Sequence, residues 1–120
     1  MEENLTVDPK DAQDNKIMGI LAYLGILVLV PIFAAKESPF ARYHSNQGLV
    51  LLIAVVVISI AVSILGVIFA FISLALSIII TLLNAVIGLG SLVLMIMGII
   101  NAVNGVMKEL PLIGKFKILK

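Results

Sequence analysis

One tract dominates the hydrophobic pattern of this chain. Between Arg42 and Lys108 there is no Asp, Glu, Lys or Arg, and residues 48–107 are apolar almost throughout. Such a tract cannot be the core of a soluble domain this small, because too little polar chain remains to cover it; it reads as membrane-embedded. As a single helix it would run roughly 90 Å, about three times the hydrocarbon thickness. Two helices joined by a tight turn fit instead. The turn is expected within residues 69–76, with Phe69 and Phe71 at the membrane interface. An earlier apolar run, residues 17–35, is long enough for a span of roughly 28 Å, with Pro31 near its end, where a kink does little harm. The pattern predicts an all-α membrane protein with three transmembrane helices over residues 17–35, 39–70 and 76–107, the second and third long and packed as a hairpin. Breaking the tract near Gly66 and again at Gly88-Leu-Gly90 gives a four-helix alternative.

Within the tract the small and polar residues are ordered. Ser59, Ser63, Gly66, Ala70 and Ser73 follow steps of four and three. Ser77, Thr81, Asn84, Gly88, Ser91, Met95, Gly98, Ala102 and Gly105 do the same, with only Met95 large. In lipid no hydrophobic force drives helices together, so close approach over small side chains and a few hydrogen bonds must do it. The pattern reads as a packing seam, with a polar conduit as the alternative. The register slips between Ser73 and Ser77, which again places the turn there. Asn84 in mid-span needs a partner, for which Ser63, Ser77 and Thr81 are candidates.

The polar segment before the tract, residues 36–47, launches the second helix. Ser38-Pro39 is a helix-start signal: the hydroxyl accepts from a free N–H of the first turn, and Pro at the first position loses no needed donor. Arg42, Tyr43, His44, Asn46 and Gln47 then circle the helix as it enters lipid. One reading is an interfacial collar that anchors the helix at headgroup level. The other is an interaction site for a partner or a lipid headgroup, in which Asn46 and Gln47 bond to the first span, the C-terminal tail or a partner.

Composition adds exclusions. The chain is 62% hydrophobic and 12% charged, with no cysteine, so disulfides and thiolate chemistry are absent. No metalloprotease, hydrolase-elbow or nucleotide-binding motif occurs, and no acidic residue lies within the tract; neither an enzyme nor a cofactor is expected. Residues 1–16 form an acidic polar tail without the basic start of a secretory signal, expected to be frayed with helix from Asp11. Pro111 is expected to end the last helix near Lys108. The amphipathic tail, residues 109–120, carries Lys115, Lys117 and Lys120 and should lie on anionic lipid headgroups; the patch is too short for nucleic acid. Of the basic residues, two lie in the N-terminal tail, two in the first loop and four from Lys108 onward. With three spans, the positive-inside rule places the N-terminus outside and the C-terminus in the cytoplasm.

The run from Lys16 through Leu27, the segment Ser38-Pro-Phe-Ala-Arg-Tyr-His-Ser-Asn-Gln-Gly48, and Gly98-Ile-Ile-Asn-Ala-Val-Asn-Gly105 followed by Leu110-Pro-Leu-Ile-Gly114 resemble a family of small prokaryotic membrane proteins of unknown function grouped with the Tic-twenty-like proteins. That group is named after a chloroplast inner-envelope import component. Arg42, Tyr43 and Gln47 match its Arg-aromatic-Asn-x-x-Gln pattern in order, while the Asn is displaced to Asn46. The resemblance implies an integral membrane protein without catalytic residues. Two function classes follow: a membrane-embedded interaction or assembly component, with a membrane-protein partner or a homo-oligomer, and a holin-like pore-former.

Overall fold

The computed structural model describes residues 7–119; Glu2, Glu3 and Lys120 lie outside them. The described residues are helical without a strand. Two helices dominate, α4 (Pro39–Ala70) and α5 (Leu74–Val103), preceded by short helices α1 (Pro9–Asp14), α2 (Lys16–Leu21) and α3 (Leu29–Ala34). Among the described residues, α4 and α5 are the helices long and apolar enough to cross a membrane. They pack antiparallel as a hairpin through a turn at residues 71–73, inside the window expected from the seam slip. The four-helix alternative is corrected: neither Gly66 nor Gly88-Leu-Gly90 interrupts a helix.

The first apolar run is not one long helix. It is a broken helical V: α2 rises for six residues, the chain turns at residues 22–25, a short 3-10 segment (Gly25–Val28) follows, and α3 returns. Gly25 makes the break with φ +63°, a left-handed conformation that glycine adopts without penalty. A six-residue helix rises only about 9 Å, so neither α2 nor α3 is long enough to cross a bilayer. Hydropathy counts length and misses a reversal. Non-helical backbone at membrane depth is tolerated only where protein covers it, and Ala22 and Tyr23 at the tip are almost completely buried.

Two glycines of the hairpin provide the cover. Gly48 of α4 lies so close to the Ala22 carbonyl that any Cβ would overlap it, and Gly98 of α5 lies under the Tyr23 ring. The tip is wedged between the two long helices where both lack side chains. Around it, Ala22, Tyr23, Val28 and Leu110 form one buried cluster; Ala12, Phe40, Tyr43, Ala102 and Met107 form a second.

The end of α5 also differs from expectation. It stops at Val103, not near Lys108, because Gly105 takes φ +71° and closes a Schellman motif. The Val106 N–H donates to Asn101 O at 3.0 Å and the Gly105 N–H to Ala102 O at 3.1 Å. Gly105 therefore serves the helix end and not the seam. Elsewhere on the seam, Ser77, Asn84 and Ser91 are half-buried, and Gly98 and Ala102 are buried. Thr81 and Gly88 are exposed, with Ile80 and Ile87 turned inward in their stead. The hydroxyls of Ser77, Thr81 and Ser91 donate to carbonyls of α5 itself, at 2.9–3.1 Å, and do not reach α4. Since nothing lies within 4 Å of a Cβ on Gly88, whereas one on Gly98 collides with Tyr23, Gly98→Leu should lower thermal stability in detergent sharply and Gly88→Leu hardly at all. Equal effects would mean that the Tyr23 seat is not what Gly98 provides.

Because the V returns to the side it left, residues 7–16, the loop after α3 and the C-terminal tail share one end of the molecule. Ala12 packs with Phe40 and Met107 there. These segments touch, an arrangement that fits two spans with residues 7–16 and the C-terminal tail on one side of a membrane. The chain has no cysteine, so single-cysteine labelling has no background. Gln13→Cys, Lys36→Cys and Leu112→Cys should label from one side of the membrane and Ile72→Cys from the other. Labelling of Gln13→Cys and Leu112→Cys from opposite sides would refute the two-span arrangement.

Candidate functional site

The first turns of α4 carry most of the polarity of the fold's interior. Ser38 caps the helix, its Oγ accepting from the Ala41 N–H at 3.0 Å, as the Ser-Pro signal foretells. A second cap comes from far away. Asp11 of α1 accepts from Ser38 Oγ–H at 2.6 Å and from the Phe40 N–H at 3.0 Å, which places a carboxylate at the positive end of α4. The segment expected to be frayed with helix from Asp11 is helical from Pro9, and its cap is Asp8, accepting from the Lys10 N–H at 3.1 Å. Asp8-Pro9 is the same cap-then-proline signal as Ser38-Pro39, and it was there to be read.

Beyond the cap, Tyr43, His44, Asn46 and Gln47 are buried and Arg42 is half-buried. Two readings were open for these residues, a collar facing headgroups and a site in which Asn46 and Gln47 bond to the first span, the C-terminal tail or a partner. In the structure α1, the tip of the V and the C-terminal tail cover most of them, and Asn46 and Gln47 meet the C-terminal tail.

His44 bridges two distant segments. Its Nε2 lies 2.8 Å from the Val106 carbonyl and its Nδ1 2.6 Å from the Tyr23 hydroxyl. A carbonyl can only accept, so Nε2 carries the proton; in the neutral ring Nδ1 then accepts and Tyr23 donates. Three rings meet the imidazole edge-on: Phe40 at 4.6 Å, and Tyr23 and Tyr43 at 5.5 Å between centroids. Tyr23, a lone polar group in the first apolar run, was not among the candidate site residues; nothing local to it signals its partner on α4.

Asn46 and Gln47 hold the C-terminal tail by its backbone. The Gln47 amide donates to Gly114 O and accepts from the Leu110 N–H, both at 2.9 Å. The Asn46 amide donates to Phe116 O at 2.8 Å and accepts from the N–H groups of Ile118 and Leu119 at 2.6 and 3.0 Å. Two side chains thus satisfy five backbone groups of a segment that forms no regular structure, as buried backbone requires. Lys117 completes the seat, 5.4 Å over the Tyr43 ring and 3.5 Å from the Glu109 carboxylate.

This arrangement is a clamp. Its amides are spent on the chain's own backbone, and its imidazole on the Val106 carbonyl and the Tyr23 hydroxyl. Among the described residues no group of three His, Cys, Asp or Glu side chains is placed to hold a metal ion. What the geometry does is close the molecule, fastening both ends of the chain to the head of α4.

A family model described as "Magnetosome magnetite crystal formation protein family" matches residues 14–117. The chain is 35% identical over 54 residues to "Magnetosome protein MamF" of Magnetospirillum gryphiswaldense, covering 42% of this chain and 49% of that protein. It is 43% identical over 35 residues to "Magnetosome protein MamF" of Paramagnetospirillum magneticum, covering 29% of this chain and 32% of that protein. The chain therefore spans about half the length, or less, of these curated relatives. No solved structure matches it. The matched family is a small membrane-associated one, as the sequence resemblance implied, while the Tic-twenty-like label gains no support from these matches. Neither protein import nor a holin-like pore gains support from these matches.

Proposed function

Since the chain belongs to the magnetosome magnetite crystal formation protein family, we propose that it is a non-enzymatic assembly component of the magnetosome membrane, acting in the formation of magnetite crystals. The observation that carries this reading beyond the family is the clamp: the polar groups that other proteins use for chemistry are here used to hold a fold together. With the basic residues of the described chain gathered at one end, the positive-inside rule supports a cytoplasmic position for that end. The α4–α5 turn, residues 71–73, then projects to the opposite, crystal-facing side. It offers Phe71 and Ile72, both strongly exposed, and no charge. On this reading the chain acts on crystal formation by organising the enclosing membrane and not by templating mineral.

The test is expression of a tagged chain in Magnetospirillum gryphiswaldense lacking its MamF. The chain should co-purify with crystal-bearing membrane and shift the crystal-size distribution seen by electron microscopy. Spread over all membranes with unchanged crystals would overturn the proposal.

A further inference from the structure

The clamp fixes the C-terminal tail against the outer face of α4, and the two enclose a groove of about 360 Å³. Val50, Ile53, Ala54 and Val57 form one wall, Phe116 and Ile118 the other, with Lys117 at the mouth. The helix wall lies in the apolar span, and Ile53, Val57, Phe116 and Ile118 are each more than two-fifths exposed. Cation and aromatic alternate along the tail as Lys115-Phe116-Lys117, and Lys115 is exposed.

We propose that this groove binds one anionic phospholipid, an acyl chain lying along α4 beneath Phe116 and the phosphate meeting Lys115 and Lys117. The argument is charge complementarity at a fixed depth. An apolar channel opening into the hydrocarbon is lined at the polar end of the molecule by Lys117, with the exposed Lys115 two residues before it. Lys117 already touches Glu109 at 3.5 Å and Gly114 O at 3.2 Å, yet its side chain remains 53% exposed, so it can turn toward a phosphate without leaving the Tyr43 ring. A free tail would spread over many lipids, at a loss of ordering entropy for each contact. A tail pinned at Leu110, Gly114, Phe116, Ile118 and Leu119 presents its two cations already in place. The inference rests on membrane embedding alone and is independent of any part in crystal formation.

The chain contains no tryptophan, so Phe116→Trp supplies a single fluorophore in the groove wall. Reconstituted in phosphatidylcholine vesicles, it should be quenched by brominated phosphatidylglycerol at several-fold lower mole fraction than by brominated phosphatidylcholine. Adding Lys115→Gln, which removes an exposed cation and no packing, should reduce that preference about five-fold. Adding Ala54→Phe, which fills the groove and leaves the charges, should weaken quenching by both lipids. Ile64→Phe, exposed farther along α4, should change neither. Equal quenching by the two headgroups, or a preference untouched by Lys115→Gln, would overturn the proposal. So would emission that changes with protein concentration in lipid-free detergent, because a second copy would then be the occupant.

Discussion

Gly48→Ala is expected to unseat the first third of the chain. The added Cβ would overlap the Ala22 carbonyl oxygen and lie 2.6 Å from its carbon. Both are backbone atoms, at a tip held from behind by Tyr23, so no rotamer change relieves the collision. Overpacking of this kind costs about 1–3 kcal/mol where side chains yield, and contact with backbone puts Gly48→Ala at the upper end. The V formed by α2, the 3-10 segment and α3 should loosen while the α4–α5 hairpin persists. Limited proteolysis at Lys16 and Lys36 in detergent reads this directly, and cleavage should rise well above the wild-type rate. Unchanged protection would show that the tip does not depend on the approach at Gly48. Gly25→Ala makes a useful companion: its Cβ meets nothing within 4 Å, but φ +63° is strained for alanine, so a loss of about 1 kcal/mol is expected from conformation alone.

Gln47→Leu is expected to release the other end. Leucine keeps the volume but leaves the Leu110 N–H and the Gly114 carbonyl without their partner in a buried site. An unsatisfied buried group costs about 1–3 kcal/mol, so two together put the change at about 2–6 kcal/mol if the tail stayed in place. The tail will instead leave, and water will satisfy it. Trypsin should then cut after Lys115 and Lys117 while α5 remains protected, and amide exchange at Leu110 should accelerate. Gln47→Glu keeps the acceptor for Leu110 but loses the donor to Gly114 and buries a charge, so it should behave more like leucine than like glutamine. A tail that stays protected in both variants would mean that Asn46 alone seats it.

Much of the hairpin was legible because local chemistry declares it. Ser38-Pro39 sets the start of α4, and the slip in small-residue register marks the turn after Ala70. What was not legible depended on contacts across the chain. Residues 17–35 have the length and hydropathy of a span, and only the left-handed Gly25, with glycines at 48 and 98 to receive the tip, makes them fold back. The polar residues after Pro39 were assigned to an interface because polar groups at a membrane entrance ordinarily meet headgroups. The need of Asn46 and Gln47 for partners was legible, and the C-terminal tail was one candidate, but no local signal chose it over the first span, a partner or headgroups. The seven-residue repeat on α5 found one true phase through Ser77, Asn84, Ser91 and Gly98, but extended it to Thr81 and Gly88, which are small without being packed. Gly98 itself is small for a reason the repeat does not contain: a tyrosine from the first apolar run lies on it.

The closure of the molecule has a consequence for how it is made. Every contact that satisfies His44, Asn46 and Gln47, apart from Tyr23, is to a residue at least 62 positions later in the chain. During synthesis α4 enters the membrane before any of those residues exists. Its head therefore waits in water or among headgroups, hydrated, until Val106 and the tail emerge, and the V cannot settle on Gly98 before α5 has inserted. Insertion and folding are separated in time for these contacts, and the docking of residues 110–119 on the head of α4 follows the insertion of α5. A nascent chain arrested at Asn104 should be membrane-inserted yet protease-sensitive at Lys16 and Lys36, acquiring protection only when the remaining residues are released.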